Sequence, residues 1–145
     1  MSTGATKIDY LARELRPLVF RLYYVVRRET PQHQLTLTQA SVLATLVTDE
    51  PQRMSALAER EGVRMPSMTD VVARLERLGF ARRAPDPLDR RAVLAEASEE
   101  GTRLIEELVW AREEFLSARL AELGEADRAA IAAALPALWR LLEVN

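Results

Sequence analysis

A chain of 145 residues with 48% hydrophobic and 29% charged side chains holds enough apolar material for one packed domain, or for one small domain with added packing helices. No apolar run approaches the roughly 20 residues of a membrane span; the start, Met1 to Ala5, also lacks the apolar core of a signal peptide. A cytoplasmic protein with no membrane partner is therefore expected.

The lack of cysteine excludes disulfides, thiolate catalysis and zinc-finger ligation. One histidine, His33, argues against a histidine-based metal site or a Ser-His-Asp triad and leaves only carboxylate sites open. The net charge of −2 is unevenly spread: residues 1–52 carry six basic and five acidic side chains, residues 53–91 nine and six, and residues 92–145 five and eleven. A basic middle beside an acidic C-terminal third fits a protein that turns one face to phosphates, although a solvated charge mosaic would look the same.

The first segment reads as a helix. Ile8, Leu11, Leu15, Leu18, Val19, Leu22, Val25 and Val26 recur every three or four residues as one apolar stripe. Pro17 lies inside it and removes a backbone hydrogen bond, which predicts a kink or a helix that starts near Pro17. The polar stretch from Thr30 to Gln34 ends the pattern, with His33 as a solvated loop residue.

Thr38 is the expected N-cap of a short second helix whose apolar face is Val42, Leu43, Leu46 and Val47. Ser55 is the expected cap of a third, with Leu57 and Ala58 inward and Gly62 at its C-terminal end. A fourth, Met65 to Leu78, follows within a few residues, so the pair forms a helix-turn-helix whose second member can enter a major groove.

Two faces are evident on that fourth helix. Val71, Val72, Leu75 and Leu78 form a buried stripe, while Ser67, Thr69, Asp70, Arg74 and Arg77 fall mostly opposite. Pro66 suits the first turn, where a missing N–H is no loss. Small hydroxyls at a helix start admit a phosphate, and the next side chains reach base edges; the plainer reading of Ser67 and Thr69 is simple capping. After Gly79, Phe80 to Ala84 and Ala92 to Glu96 can pair as a hairpin around a loop containing Pro85, Asp86, Pro87, Asp89, Arg90 and Arg91. The Asp89 carboxylate is expected to hold the Arg91 guanidinium, leaving Arg90 to point outward toward a minor groove. An ordinary polar turn is the alternative.

Ser67-x-Thr69 at a helix start, Arg74-Leu75-Glu76-x-x-Gly79 at its end, then Asp89-x-Arg91 and Gly101 together resemble the winged helix-turn-helix of the MarR (multiple antibiotic resistance regulator) transcription factors. The resemblance spans nearly the whole chain. Where that family usually carries Leu-Thr, this chain has Ala97-Ser98, and Ser98 still offers a capping hydroxyl.

Beyond Ser98 the chain reads as helix to its end. Leu104, Ile105, Leu108, Val109, Phe115, Leu116 and Leu120 line a helix of roughly 25 residues, well above the ~11–12 of an average one. Ile131, Leu135, Leu138, Leu141 and Leu142 line another, which Pro136 should bend. These helices and the first carry more apolar surface than one small winged lobe can cover, which predicts a symmetric helical dimer. The resemblance implies the same, with chain ends intertwined across a two-fold axis.

The expected fold is thus mostly α with a small β-hairpin wing: a dimerisation helix in 1–34, a winged helix-turn-helix lobe in 35–97 and dimerisation helices in 98–145. The expected function is a homodimeric, sequence-specific regulator, acting as a repressor on double-stranded DNA with an imperfect palindrome. Arg53, Arg64, Ser67 and Thr69 would hold phosphates beside Pro66, Arg74 and Asp70 are the candidates for base edges, with Asp70 alternatively staying near the helix dipole, and Arg90 would enter the minor groove, positioned by Asp89 and Arg91. By resemblance, a small aromatic or anionic effector binds between the dimerisation helices and the DNA-reading lobe. Arg16, Arg21, Tyr23 and Tyr24 are its candidates on the first helix, with packing the commoner fate of the two tyrosines. No phosphate-cradling glycine loop, metal cluster or nucleophile–base pair occurs, so neither an enzyme nor a cofactor is expected. The competing class is a winged-helix adaptor that turns its basic face to an acidic protein.

Overall fold

The computed structural model describes residues 3–143, with side chains from residue 7 onward. Its elements in chain order are α1 (Thr3–Glu29), α2 (Leu37–Thr48), β1 (Gln52–Arg53), α3 (Met54–Glu61), α4 (Met65–Arg77), β2 (Ala81–Pro85), β3 (Val93–Ala97), α5 (Glu99–Ala121) and α6 (Glu125–Glu143). The chain divides into two compact units, one built on residues 31–110 and the other on α1 together with the chain from Ala111 onward.

The unit of residues 31–110 has a continuous core. Val42, Leu43 and Leu46 of α2 meet Leu57 and Ala58 of α3 and Met68, Val72 and Leu75 of α4; Ala81, Ala95, Ile105 and Leu108 complete the cluster. Of the stripes expected on α2, α3 and α4, Val42, Leu43, Leu46, Leu57, Ala58, Val72 and Leu75 are buried, Met68 joins them, and Val47, Val71 and Leu78 pack against them half-buried.

Helix starts differ from the sequence reading. Thr36, not Thr38, caps α2: its hydroxyl accepts the Gln39 N–H while the Gln39 side chain accepts the Thr36 N–H, a reciprocal pair that satisfies two otherwise orphaned donors. Arg53 precedes α3 in the cap position without a side-chain cap bond, so Ser55 lies inside the first turn. Gly62 does end α3, at φ 65°, a left-handed conformation that any Cβ would strain.

The sheet is antiparallel and three-stranded, ordered β1-β3-β2. The two-residue β1 adds a strand to the expected hairpin, pairing Gln52 with Ala95 and Arg53 with Leu94. The hairpin itself starts one residue later on each side than expected, with Ala81 opposite Ala97 and Pro85 opposite Val93. Ser98 caps α5 as expected, its hydroxyl accepting the Gly101 N–H at 3.1 Å and donating to the Gly79 carbonyl.

In the other unit, α1 runs unbroken from Thr3 through Pro17, so it does not begin at that proline. Arg112 donates to the Thr30 hydroxyl, which in turn donates to the Val26 carbonyl at 2.8 Å and secures the end of α1. No residue of α6 is buried, and Leu135, Trp139, Leu141 and Leu142 on it are exposed, as are Ile8, Leu18, Phe20 and Tyr24 on α1. Among the described residues no helix is long and apolar enough to cross a membrane.

Candidate nucleic-acid interface

The face of α4 that escapes the core defines the site. Met68, Val72 and Leu75 point inward, and at about 100° per residue this leaves Pro66, Asp70, Ala73, Arg74 and Arg77 around the opposite side. Arg64, Pro66, Ser67, Thr69, Asp70 and Arg77 are exposed, and Arg74 is half-buried. Arg64 occupies the cap position without a side-chain cap bond, and Pro66 sits in the first turn as expected. The backbone donors of that turn are therefore open to an anion. Thr69 differs from expectation: its hydroxyl donates back to the Met65 carbonyl at 2.9 Å, so the proton expected to reach a phosphate is occupied within the helix.

The wing lies next to this helix start. An open cleft of about 350 Å³ separates them, lined among others by Arg53, Met65, Thr69, Arg83, Asp89 and Arg91. Arg91 on its rim and Arg90 are exposed, and Leu88 at the wing tip is 90% exposed.

What rigidifies the wing is a different aspartate from the one expected. Asp89 does not pair with the Arg91 guanidinium; its carboxylate accepts the Arg91 backbone N–H at 3.0 Å, a side-chain-closed turn that orders the backbone instead. Asp86, only 5% exposed, accepts the Leu88 N–H at 2.8 Å on one oxygen and the Arg53 Nε–H at 2.7 Å on the other. The Leu88 N–H is the largest influence holding its carboxyl below the ordinary range; burial opposes this, and the hydrogen bond and charge of Arg53 reinforce it. Arg53, placed among the phosphate contacts, is thus also an ion-pair partner, with 46% of its side chain still exposed.

A second tie joins helix to wing. The Arg83 guanidinium of β2 pairs with the Glu76 carboxylate of α4. Neither Asp86 nor this pair was singled out from the sequence. The Pro85-Asp86-Pro87 run marks a stiff turn, but only the tertiary pairing of β1 with β3 brings Arg53 to it.

The four effector candidates lie on α1 and do not converge. Arg16 and Tyr23, seven residues apart, share a face, while Arg21 lies about 140° round the helix from Arg16. All four are exposed. The Tyr23 and Tyr24 rings meet edge-on at 5.7 Å, and Arg27 reaches the Tyr23 hydroxyl at 3.5 Å. His33, expected in a solvated loop, is half-buried and accepts the Leu35 N–H on Nδ1.

Known proteins resemble this chain in sequence and fold. A sequence model described as the MarR family matches residues 35–93. An HTH-type transcriptional regulator of Mycobacterium bovis is 40% identical over 133 residues, covering 92% of this chain and 93% of its own. The chain belongs to the MarR family.

MarR-family structures carry the same fold at full length. A MarR family protein of Bacillus stearothermophilus superposes with a TM-score of 0.83 at 22% identity, over 97% of this chain and 98% of its own. Two further similar proteins bear on regulation. The transcriptional repressor NicR of Pseudomonas putida is 26% identical, over 81% of this chain and 74% of its own. BpsR of Bordetella bronchiseptica, whose DNA binding is regulated by 6-hydroxynicotinic acid, is 25% identical with a TM-score of 0.65, over 89% of this chain and 98% of its own. The Mycobacterium bovis relative is an HTH-type transcriptional regulator, NicR is a transcriptional repressor, and BpsR is a protein whose DNA binding is regulated.

Proposed function

We propose that this MarR-family regulator is a homodimeric repressor, acting in the cytoplasm, that reads an imperfect palindrome with two copies of α4. The observation that carries the reading is the juxtaposition, in one unit, of an uncapped and exposed α4 start with a wing bearing Arg90 and Arg91. In the proposed complex, Arg64, Ser67 and the first-turn N–H groups hold phosphates, with Arg53 beside them. Arg74 reads guanine, Asp70 reads a neighbouring base edge, and Arg90 enters the minor groove while Asp89 and the Arg91 backbone shape the turn behind it. Thr69 contributes through its oxygen lone pairs and methyl group, because its proton is already bonded.

Dimerisation follows from the apolar surface of the other unit. Trp139 and Leu142 of α6 stand 66% and 75% exposed beside Leu138 and Leu141, far from the scattered single leucines of an ordinary monomer surface. Burying them against the same helices of a second copy would give the protein two α4 helices, the number that half-sites about one turn of DNA apart require. Repression, and release by a small aromatic or anionic effector, rest on likeness to NicR and BpsR.

Footprinting on DNA flanking the gene tests the reading. The expected result is a protected, roughly two-fold symmetric site whose affinity falls steeply with salt and is lost in the Arg74→Ala/Arg90→Ala double variant. Unchanged binding by that variant refutes the residue assignment. Absence of any protected site at moderate salt favours the adaptor.

A further inference from the structure

We infer that Asp86 is a positioning residue for DNA binding: it holds Arg53 by Nε and thereby presents the remaining guanidinium donors to a phosphate at the cleft between the α4 start and the wing. The inference rests on the DNA-binding reading above and assigns a role to a residue that touches no DNA itself.

Three observations carry it. Asp86 is almost fully buried, and its two carboxylate oxygens serve different elements, one the Arg53 side chain of β1 and the other the Leu88 backbone in the wing turn. Arg53 is held by Nε alone among the bonds described, which leaves its terminal Nη donors, four N–H groups in a planar fork, for another acceptor. Its side chain keeps 46% exposure and lines the cleft together with Arg91 and Thr69 of the α4 start.

A long side chain fixed before DNA arrives loses less freedom on binding than a free one. Electrostatics alone argues the opposite way, since a carboxylate near a phosphate repels it. The two accounts therefore predict opposite signs for the same substitution, which makes the inference decidable.

The experiment measures binding of the full-length protein to the flanking duplex protected in the footprint, in a cycle of wild type, Asp86→Asn, Arg53→Ala and the double variant. Asparagine keeps an oxygen for the Leu88 N–H, so the wing turn is preserved while the ion pair is removed. Arg53→Ala should weaken binding and lower the salt slope by about 0.9 per half-site, one phosphate contact fewer. Asp86→Asn should weaken binding about three- to tenfold per half-site, the factor for re-ordering one long side chain, and should weaken it no further when Arg53 is already alanine.

Tighter binding by Asp86→Asn overturns the inference in favour of simple repulsion. Equal weakening by Asp86→Asn in both backgrounds overturns it in favour of a role confined to the fold. Should Asp86→Asn fail to give a cooperative thermal transition, Arg53→Lys decides: it keeps the charge but cannot pair with Asp86 and offer a fork together, and binding equal to wild type refutes the inference. A wild type that binds no flanking duplex sinks the DNA reading and this inference with it, whereas tight binding by both wild type and Arg53→Ala sinks only this inference.

Discussion

Gly101→Ala tests the packing of the winged unit at its tightest point. Gly101 is buried in the first turn of α5, and a Cβ placed there would lie 2.1 Å from the Phe80 carbonyl oxygen and 3.0 Å from Leu43 Cδ1. Reaching even the 3.0 Å floor of real Cβ contacts requires about 0.9 Å of movement against backbone, not against a flexible side-chain end. That backbone has little freedom, since Phe80 N–H bonds the Leu75 carbonyl and Phe80 O accepts the Ser98 N–H, each at 2.9 Å. Overpacking that shifts backbone costs about 1–3 kcal/mol, against roughly 1 kcal/mol gained by alanine in a helix. With about 0.9 Å of backbone movement needed the upper end applies, so the expected net loss is about 2 kcal/mol, a Tm lower by about 4–8 °C in a chain of this size. Circular dichroism melts at one fixed protein concentration measure it, because the proposed dimerisation would make Tm concentration-dependent. Gly62→Ala is the internal comparison: its φ is also positive, but no atom lies within 4 Å of its Cβ position, so only backbone strain of about 1 kcal/mol is expected. A Gly101→Ala protein at least as stable as wild type, or more stable than Gly62→Ala, refutes the close-approach argument.

Two smaller predictions concern the same unit. Thr36→Ala removes the capping box of α2 and should destabilise by about 0.5–2 kcal/mol, whereas Thr38→Ala, inside the helix, should be nearly neutral; equal effects in urea melts would contradict the cap assignment. Because the Asp86 carboxyl is held below its ordinary value of 3.8, the stability it contributes is fully present above that value and is lost as pH falls through the folded-state value. The Tm gap between wild type and Asp86→Asn should thus be constant near neutrality and narrow only in acid; a gap that instead narrowed on raising the pH would show that the sign is wrong.

Long-range order in this chain was legible where burial repeats with a period, and illegible where one tertiary contact decides. The stripes of α2 and α4 announced themselves because a helix that buries one face must repeat apolar residues at its own spacing. Strand β1 has only two residues, too few for any period, and exists because β3 offers it an edge. At α2 two threonines competed for one cap; the Thr36-x-x-Gln39 spacing of a reciprocal box identifies the correct one, whereas proximity to the apolar run does not. Pro17 suggests either a kink or a helix start, and α1 continues through it on an exposed helix, where a carbonyl left without its N–H partner can turn to water.

The wing makes the point that matters for function. Asp86 and Asp89 are both aspartates in one short loop, and local spacing favours Asp89 as the residue that fixes an arginine. Spacing along the chain, however, cannot say which carboxylate is buried. Asp86 is the buried one because its loop folds back toward β1, where Arg53 supplies the opposite charge, while Asp89 remains near solvent and spends its oxygen on a backbone N–H. The arginine held in place is therefore one at the helix-turn-helix, 33 residues away, and not one in the wing. On this geometry the Arg53–Asp86 pair ties the helix-turn-helix to the wing alongside the β1–β3 pairing and the Arg83–Glu76 pair, so in the proposed complex a substitution at either end should alter how both elements meet DNA.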